Sequence, residues 1–282
     1  MSQVIRQADE REFPFSDQQF SFLAGLVNER TGIVLGKKKK NMVYSRLVRR
    51  LRALDISSFA DYCELIQASD DRGELSNLVN AITTNLTSFF RENHHFEHLR
   101  DTVLTTLAAN PPSSKRLRVW SAACSAGMEP YSIAMTIKAA LKDLKTWDAR
   151  ILATDIDTEM LKIGAQGTYA AEQFEKIPDI YKSDVSRVRG EDDIHMSESL
   201  KALIAFKQLN LLERWPMQGT FDAVFCRNVA IYFDKPTQAK LFSRIADMLK
   251  PDGWLYIGHS ENLYKVCDRF ELLGRTIYRK VR

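Results

Sequence analysis

Beyond residue 115 the sequence settles into an alternation that few folds accommodate. Arg116–Ala122 reads as a buried strand, Glu129–Leu144 as a helix, Ala149–Asp155 as a strand and Thr158–Ala165 as a helix. Ile204–Leu209 and Phe221–Cys226 are strand-like, Pro236–Leu249 is a periodic helix, and Trp254–Gly258 is a further strand. Phe270–Leu273 and Thr276–Arg279 flank Gly274-Arg275 as the arms of a hairpin. A parallel neighbour can be reached only by a crossover connection. Strands that return after each helix therefore imply an α/β fold, a mostly parallel sheet with helices on both faces. The closing hairpin adds an antiparallel strand at one edge.

The chain before this region has a different rhythm. Asp17 opens a periodic segment over 17–30, with Phe20, Leu23 and Val27 on one side and Thr31-Gly32 at its end. A second helix is expected over 38–54, with Val43, Leu47, Leu51 and Leu54 on one face and Lys38, Arg46, Arg49 and Arg52 on the other. Asp55–Gln67 and Glu74–Thr83 suggest two shorter helices, and Asn110-Pro111-Pro112-Ser113-Ser114 is the clearest break. The expected domains are a helical one over 1–80, a linker over 81–115 that contributes to the site, and the α/β domain over 116–282. Residues 170–203 are charged and do not fit the alternation, so they read as an insertion with short strands of its own.

Composition removes several classes. Apolar residues make up 45% of 282, enough for a globular core. No apolar run approaches the roughly 18–20 residues of a membrane span. The opening stretch, MSQVIRQADEREF, is polar and acidic and does not read as a targeting peptide. A cytoplasmic protein is expected. Cys63, Cys124, Cys226 and Cys267 form no close pair and read as reduced thiols. His94, His95 and His98 cluster, but no acid or cysteine completes a ligand set, so no metal is expected. The net charge is only +4, yet Arg30 to Arg52 holds nine basic residues and no acid, which calls for an acidic partner.

The bend after the first strand, Ser121-Ala122-Ala123-Cys124-Ser125-Ala126-Gly127, is built of small residues and leads to Glu129 at a helix mouth. In a doubly wound sheet a ligand lies beyond the C-terminal strand ends. Small side chains there would let a ligand reach the backbone; tight helix–strand packing would account for them equally well. An acid at the helix mouth repels a phosphate and welcomes a cation. The pattern suits a nucleoside without phosphates and with positive charge, such as S-adenosylmethionine. The second strand ends in Asp155, 28 residues past Gly127, where a carboxylate can accept ribose hydroxyls. Asp157 reads as a helix cap. Asn210, past the third strand, would reach an adenine amino group, and Asn228 and Val229 follow the fourth.

The stretches TNLTSFFRE (84–92), WSAACSAGMEPYSIA (120–134), ATDID (153–157), NLLE (210–213), FDAVFCRNVAIYFDK (221–235) and LKPDGWLYIGHSEN (249–262) together resemble the CheR family of chemotaxis receptor glutamate O-methyltransferases. The resemblance spans nearly the whole chain. It implies a small all-α N-terminal domain and a Rossmann-like methyltransferase domain with a seven-stranded sheet and an inserted β-subdomain. It implies S-adenosylmethionine as cofactor and S-adenosylhomocysteine as product. It places Asn85, Thr87, Arg91, Ala123 and Gly127 at the cofactor, Glu129 at its methionine end, Asp155 at the ribose, Asn210 and Leu211 at the adenine, and Asn228 and Val229 beside the transfer site. The family commonly has Gly-Glu-Glu-Pro where this chain has Gly127-Met128-Glu129-Pro130.

The implied reaction esterifies a receptor glutamate. A glutamate ionises near pH 4.3, so no general base is needed at neutral pH. Arg91 and Tyr232 are the expected catalytic residues, orienting the carboxylate. Lys38, Arg46, Arg49 and Arg52 would grip the acidic cytoplasmic helices of a methyl-accepting receptor, and a monomer that meets the membrane only through that receptor is expected. The insert has only Gly190 in its loop, which suggests that no receptor-tail tether is used. A nucleic-acid methyltransferase is the main rival, but the only Pro-Pro lies in the linker and not after the fourth strand. A non-catalytic cofactor sensor is the second; the retained Arg91, Asn228 and Tyr232 speak against it.

Overall fold

The computed structural model describes residues 11–68, 72–83, 85–187, 190 and 192–282. The reading of the first ten residues lies outside these, as do Thr84 of the TNLTSFFRE stretch and residues 188, 189 and 191 of the insert. The chain divides into Met1–Thr83 and Thr84–Arg282.

The first unit is helical. α1 (Asp17–Thr31) starts with a capping box in which Ser16 and Gln19 satisfy each other's backbone amides, and it stops at Gly32 in the left-handed region. A 3-10 turn, Lys37–Lys39, leads into α2 (Lys40–Ala53), followed by α3 (Phe59–Ala68) and α4 (Arg72–Ile82). Leu23, Val27, Leu47, Leu51, Phe59, Tyr62 and Leu78 form a dry core. Glu74 is buried at its edge, where Arg50 Nε donates to it at 2.9 Å and the Tyr62 hydroxyl at 2.9 Å.

The second unit opens with α5 (His94–His98), a π-helical stretch (Leu99–Leu104) and α6 (Thr105–Ala109). The α/β part then runs β1 (Arg116–Ala122), α7 (Met128–Ala140), β2 (Asp148–Asp155) and α8 (Thr158–Gln166). Next come β3 (Thr168–Ala170), β4 (Val185–Arg187), β5 (Asp193–Met196), α9 (Glu198–Lys201) and β6 (Ile204–Gln208). The chain ends with β7 (Phe221–Cys226), α10 (Lys235–Met248), β8 (Leu249–Tyr256), β9 (Phe270–Gly274) and β10 (Ile277–Lys280). The main sheet has seven strands in the order β6-β2-β1-β7-β8-β10-β9. β1 pairs in parallel with both β2 and β7. β10 is antiparallel to β8 and β9, so the last strand of the chain lies inside the edge that β9 forms. The insert is a three-stranded antiparallel sheet, β3-β5-β4.

The chain winds outward from β1 through β2 to β6 and then crosses to β7 on the other side of β1. The order reverses between β1 and β7, the place where open α/β sheets bind their ligands. Trp120, fully buried in β1, donates to Thr154 Oγ1 at 2.9 Å and locks β1 to β2 beneath it. The four cysteines are free. Among the described residues no helix is long and apolar enough to cross a membrane.

Candidate active site

Strained backbone gathers in the loops near this switch point. Ala123, Ser125 and Asn228 have φ of 60°, 49° and 58°, and Phe90 and Glu92, in the segment before α5, have 50° and 57°. Side chains other than glycine avoid this region, and they persist there where surrounding structure holds them. Cys124 N–H donates to the Thr154 carbonyl at 2.9 Å and Gly127 N–H to the Cys124 carbonyl at 3.1 Å. The Tyr169 hydroxyl, from the insert, caps the Ala126 carbonyl at 2.7 Å.

Close packing, one of the two readings open for this bend, accounts for Gly127. A Cβ at Gly127 would stand 2.8 Å from Gly164 Cα and 3.1 Å from the Phe206 ring. Glycine is needed there because α8 and β6 press against it. Met128, where the family has an acid, is buried in the hydrophobic core instead.

Asp155 ends β2 with its carboxylate 7% exposed. Its Oδ2 accepts the Ser125 amide at 2.7 Å and its Oδ1 the Asp157 amide at 2.9 Å. Each carboxylate oxygen has two acceptor sites, so capacity remains for hydroxyls. Burial pushes the Asp155 pKa up, against the pull of these amides. Asp157 caps α8 through Oδ1, and its Oδ2 accepts from Asn85 Nδ2 at 2.8 Å.

Glu129 is the second residue of α7, in its first turn. Its Oε1 accepts from Ser121 Oγ at 2.7 Å and its Oε2 from Arg227 Nη1 at 3.0 Å. Burial raises its pKa, and Arg227 and Ser121 oppose the rise. Arg227, at the end of β7, has a side chain only 3% exposed; it also donates to the Arg91 carbonyl and lies 3.4 Å from Glu92 Oε2. Arg91 itself is half-buried and its Nη1 donates to the Leu86 carbonyl at 2.9 Å, which braces the 85–91 loop; Thr87, half-buried, lies within that loop.

Past β7, the Glu261 carboxylate accepts the amides of Asn228, Val229 and Ala230 at 2.9, 3.0 and 2.7 Å, and that of Gly258. A Cβ at Gly258 would stand 2.3 Å from Asn228 Nδ2, so the Asn228 side chain lies directly over this glycine. Tyr232 ends the 3-10 turn Ala230–Tyr232, half-buried, and Gln238 Nε2 holds that turn by the Ala230 and Phe233 carbonyls at 2.8 and 3.0 Å. Asn210 sits in the turn after β6. Its Oδ1 accepts the Leu212 amide at 3.0 Å and its Nδ2 donates to Glu213 at 3.2 Å, so its amide closes its own turn. Leu211 beside it is buried.

In the helical unit, Lys38 and Arg49 are exposed. Arg52 pairs with Glu12 at the surface. Arg46 is half-buried and donates to the carbonyls of Ile82 and Thr83, at the end of α4. His94 and His95 face the Arg275 carbonyl at 2.9 and 3.1 Å and brace the closing hairpin, and His98 faces the hydroxyl of Tyr256, at the end of β8, at 3.0 Å. Among the described residues no group of three or more His, Cys, Asp or Glu is placed to hold a metal.

Arg227, Glu92 and Glu261 are the site residues that sequence reasoning passes over. Arg227 follows the apolar run Phe221–Cys226 directly, and a cation continuing a buried strand demands a buried anion. That signal was available; the identity of its partners was not.

A seven-stranded sheet of this order, with buried acids at the tip of β2 and the mouth of the first crossover helix, is the architecture of an S-adenosylmethionine-dependent methyltransferase. Residues 85–279 match the family model described as CheR methyltransferase, SAM binding domain, and residues 18–83 that of its all-alpha domain. A probable chemotaxis protein methyltransferase of Rhizobium etli is 43% identical over 258 residues, 90% of this chain and 96% of that one. The chemotaxis protein methyltransferase of Escherichia coli is 41% identical over 280 residues, 98% and 94% of the two chains. Chemotaxis protein methyltransferase 2 of Pseudomonas aeruginosa is 42% identical over 272 residues, 95% of each. The chain belongs to the CheR family of chemotaxis methyltransferases.

Proposed function

We propose that this chain methylates glutamate side chains on the cytoplasmic helices of methyl-accepting chemotaxis receptors, giving methyl esters. The observation that carries the reading is the pair of buried carboxylates, Glu129 in the first turn of α7 and Asp155 at the tip of the neighbouring strand β2, with acceptor capacity left over. Buried anions suit a ligand with an ammonium group and a diol, so the donor set fits S-adenosylmethionine. Glu129 would hold the ammonium and Asp155 the ribose. Asn85 fixes the loop that carries Thr87 by its bond to Asp157.

When bound, the cofactor supplies an electrophilic methyl group. The protein has to bring the carboxylate of a receptor glutamate into line and keep water away. That carboxylate is already ionised at neutral pH, so no residue need remove a proton. Arg91 is assigned to orient it by charge and Tyr232 by its hydroxyl. Asn228 and Val229 stand at the β7 tip, where Glu261 pins their amides. The basic face of α2 is assigned to draw acidic receptor helices in the cytoplasm.

Incubation with labelled S-adenosylmethionine and receptor-rich membranes tests the reading. Base-labile methyl ester should appear on receptor, and Arg91→Ala or Asp155→Ala should nearly abolish it while leaving the fold intact. Label on RNA, or full turnover by either variant, would refute it.

A further inference from the structure

The polar cluster behind Glu129 is larger than contact with a ligand requires. Arg227 donates to Glu129 Oε2 at 3.0 Å and stands 3.4 Å from Glu92 Oε2. Glu92 Oε1 accepts from His259 Nδ1 at 2.8 Å, and Oε2 lies 3.7 Å from Nδ1 of fully buried His95. Glu92 is held at a φ of 57°, a strained conformation for a side chain of its size.

The charges in this row decide what the pocket offers a cation. Arg227 alone would neutralise Glu129 and leave a buried, overall neutral pair. Glu92 supplies a second carboxylate to the same guanidinium, so the row Glu129–Arg227–Glu92 carries a net charge of one negative. Burial works against the Glu92 carboxylate, but the His259 hydrogen bond and the charge of Arg227 outweigh it and hold its pKa down to about 2. His95 is kept neutral, its pKa lowered to about 3 by burial and by Arg227. His259 is 66% exposed, so its contact with Glu92 is open to water.

We propose that Glu92 is a charge-balancing, positioning residue of the cofactor site: by offsetting Arg227 it leaves Glu129 a net anion and favours the sulfonium of S-adenosylmethionine over the uncharged thioether of S-adenosylhomocysteine. Methyl transfer removes the sulfonium charge and leaves the ammonium that both ligands share, so the same balance loosens the product. The inference rests on the reading that Glu129 faces the methionine end of the cofactor.

Calorimetry of the full chain with each ligand tests it. Glu92→Gln should weaken S-adenosylmethionine by roughly tenfold and S-adenosylhomocysteine by less than about threefold, as expected for one unit charge removed near a partly desolvated cation. Glu92→Asp keeps the charge and should keep most of the wild-type affinity ratio. Equal losses for both ligands, an unchanged ratio in Glu92→Gln, or a ratio lost in Glu92→Asp would overturn the proposal; a melting curve of each variant identifies one that has merely unfolded, and Glu92→Asp then decides. Glu129→Gln separates the two levels: if it leaves both affinities unchanged the cofactor assignment fails, whereas a loss there with an unaltered ratio in Glu92→Gln sinks this proposal alone.

Discussion

At Gly127 two costs of a side chain coincide. The backbone φ is 87°, and a Cβ would meet Gly164 Cα at 2.8 Å, a backbone atom that no rotamer change can move. Gly127→Ala should therefore destabilise the protein by about 2 kcal/mol or more, through left-handed strain and displacement of α8. Urea unfolding without any cofactor checks this; a neutral result would mean that the glycine serves only ligand approach. Legibility at this scale followed how local the signal is. Asp155 stands out as an acid that ends an apolar run, and Glu129 as an acid that opens a helix after a bend of small residues. Gly127 stood out too, but whether protein or ligand fills the space beside it depends on Phe206, far along the chain. Arg227 and Glu129 are 98 residues apart, and no spacing rule joins them. Asn210 is ambiguous in sequence because an amide at a strand end suits its own turn as well as a ligand.

The elements were more legible than the contacts between them. β1 and β7 have the bounds that their apolar runs predict, and α8 starts where Asp157 caps it. The helix at His94–His98 was noticed only as a spacing of histidines. The placement of β10 inside β9 was also hidden, since a hairpin does not announce which arm pairs with the sheet. The histidines of α5 carry the prediction at this scale. His95 would titrate near 6.5 in an unfolded chain but near 3 when folded, because burial and Arg227 disfavour its charge. Between these values the unfolded chain binds the extra proton, so this contribution is complete above about pH 6.5 and is lost as pH falls toward 3. Glu92 acts in the same sense lower down, stabilising above its ordinary range near 4.5 and failing as pH falls toward about 2. Asp155 and Glu129, raised by burial, act oppositely, so the difference between proteins is the clean measurement. His95→Gln should flatten the stability–pH slope between pH 6 and 5 by up to about 1.4 kcal/mol per pH unit, read by urea unfolding. Parallel curves for the two proteins would mean that His95 does not titrate differently on folding.

At the scale of the molecule, charge is the property that the sequence displays and the structure sorts. The nine basic residues from Arg30 to Arg52 read as one acid-seeking surface. Folding assigns several of them elsewhere: Arg50 satisfies buried Glu74, Lys40 pairs with Asp17, and Arg46 ties down the end of α4. Lys38 and Arg49 stay exposed, and Arg52 holds Glu12 only at the surface, where a pair contributes about 1 kcal/mol or less. The two groups should separate under mutation. Charge reversal at Arg49 and Arg52 should raise the KM for receptor by about tenfold, because it removes long-range attraction to an acidic helix, while cofactor affinity and melting temperature hold. Arg46→Ala should lower stability by about 2 kcal/mol, since two carbonyls lose a charged donor, with a smaller effect on KM. Added salt should reproduce the first variant in wild-type protein, because screening acts on exposed charges. A fall in kcat alone for the double reversal, or a KM that ignores salt, would place the receptor contact elsewhere and leave the exposed face of α2 as a solvated surface.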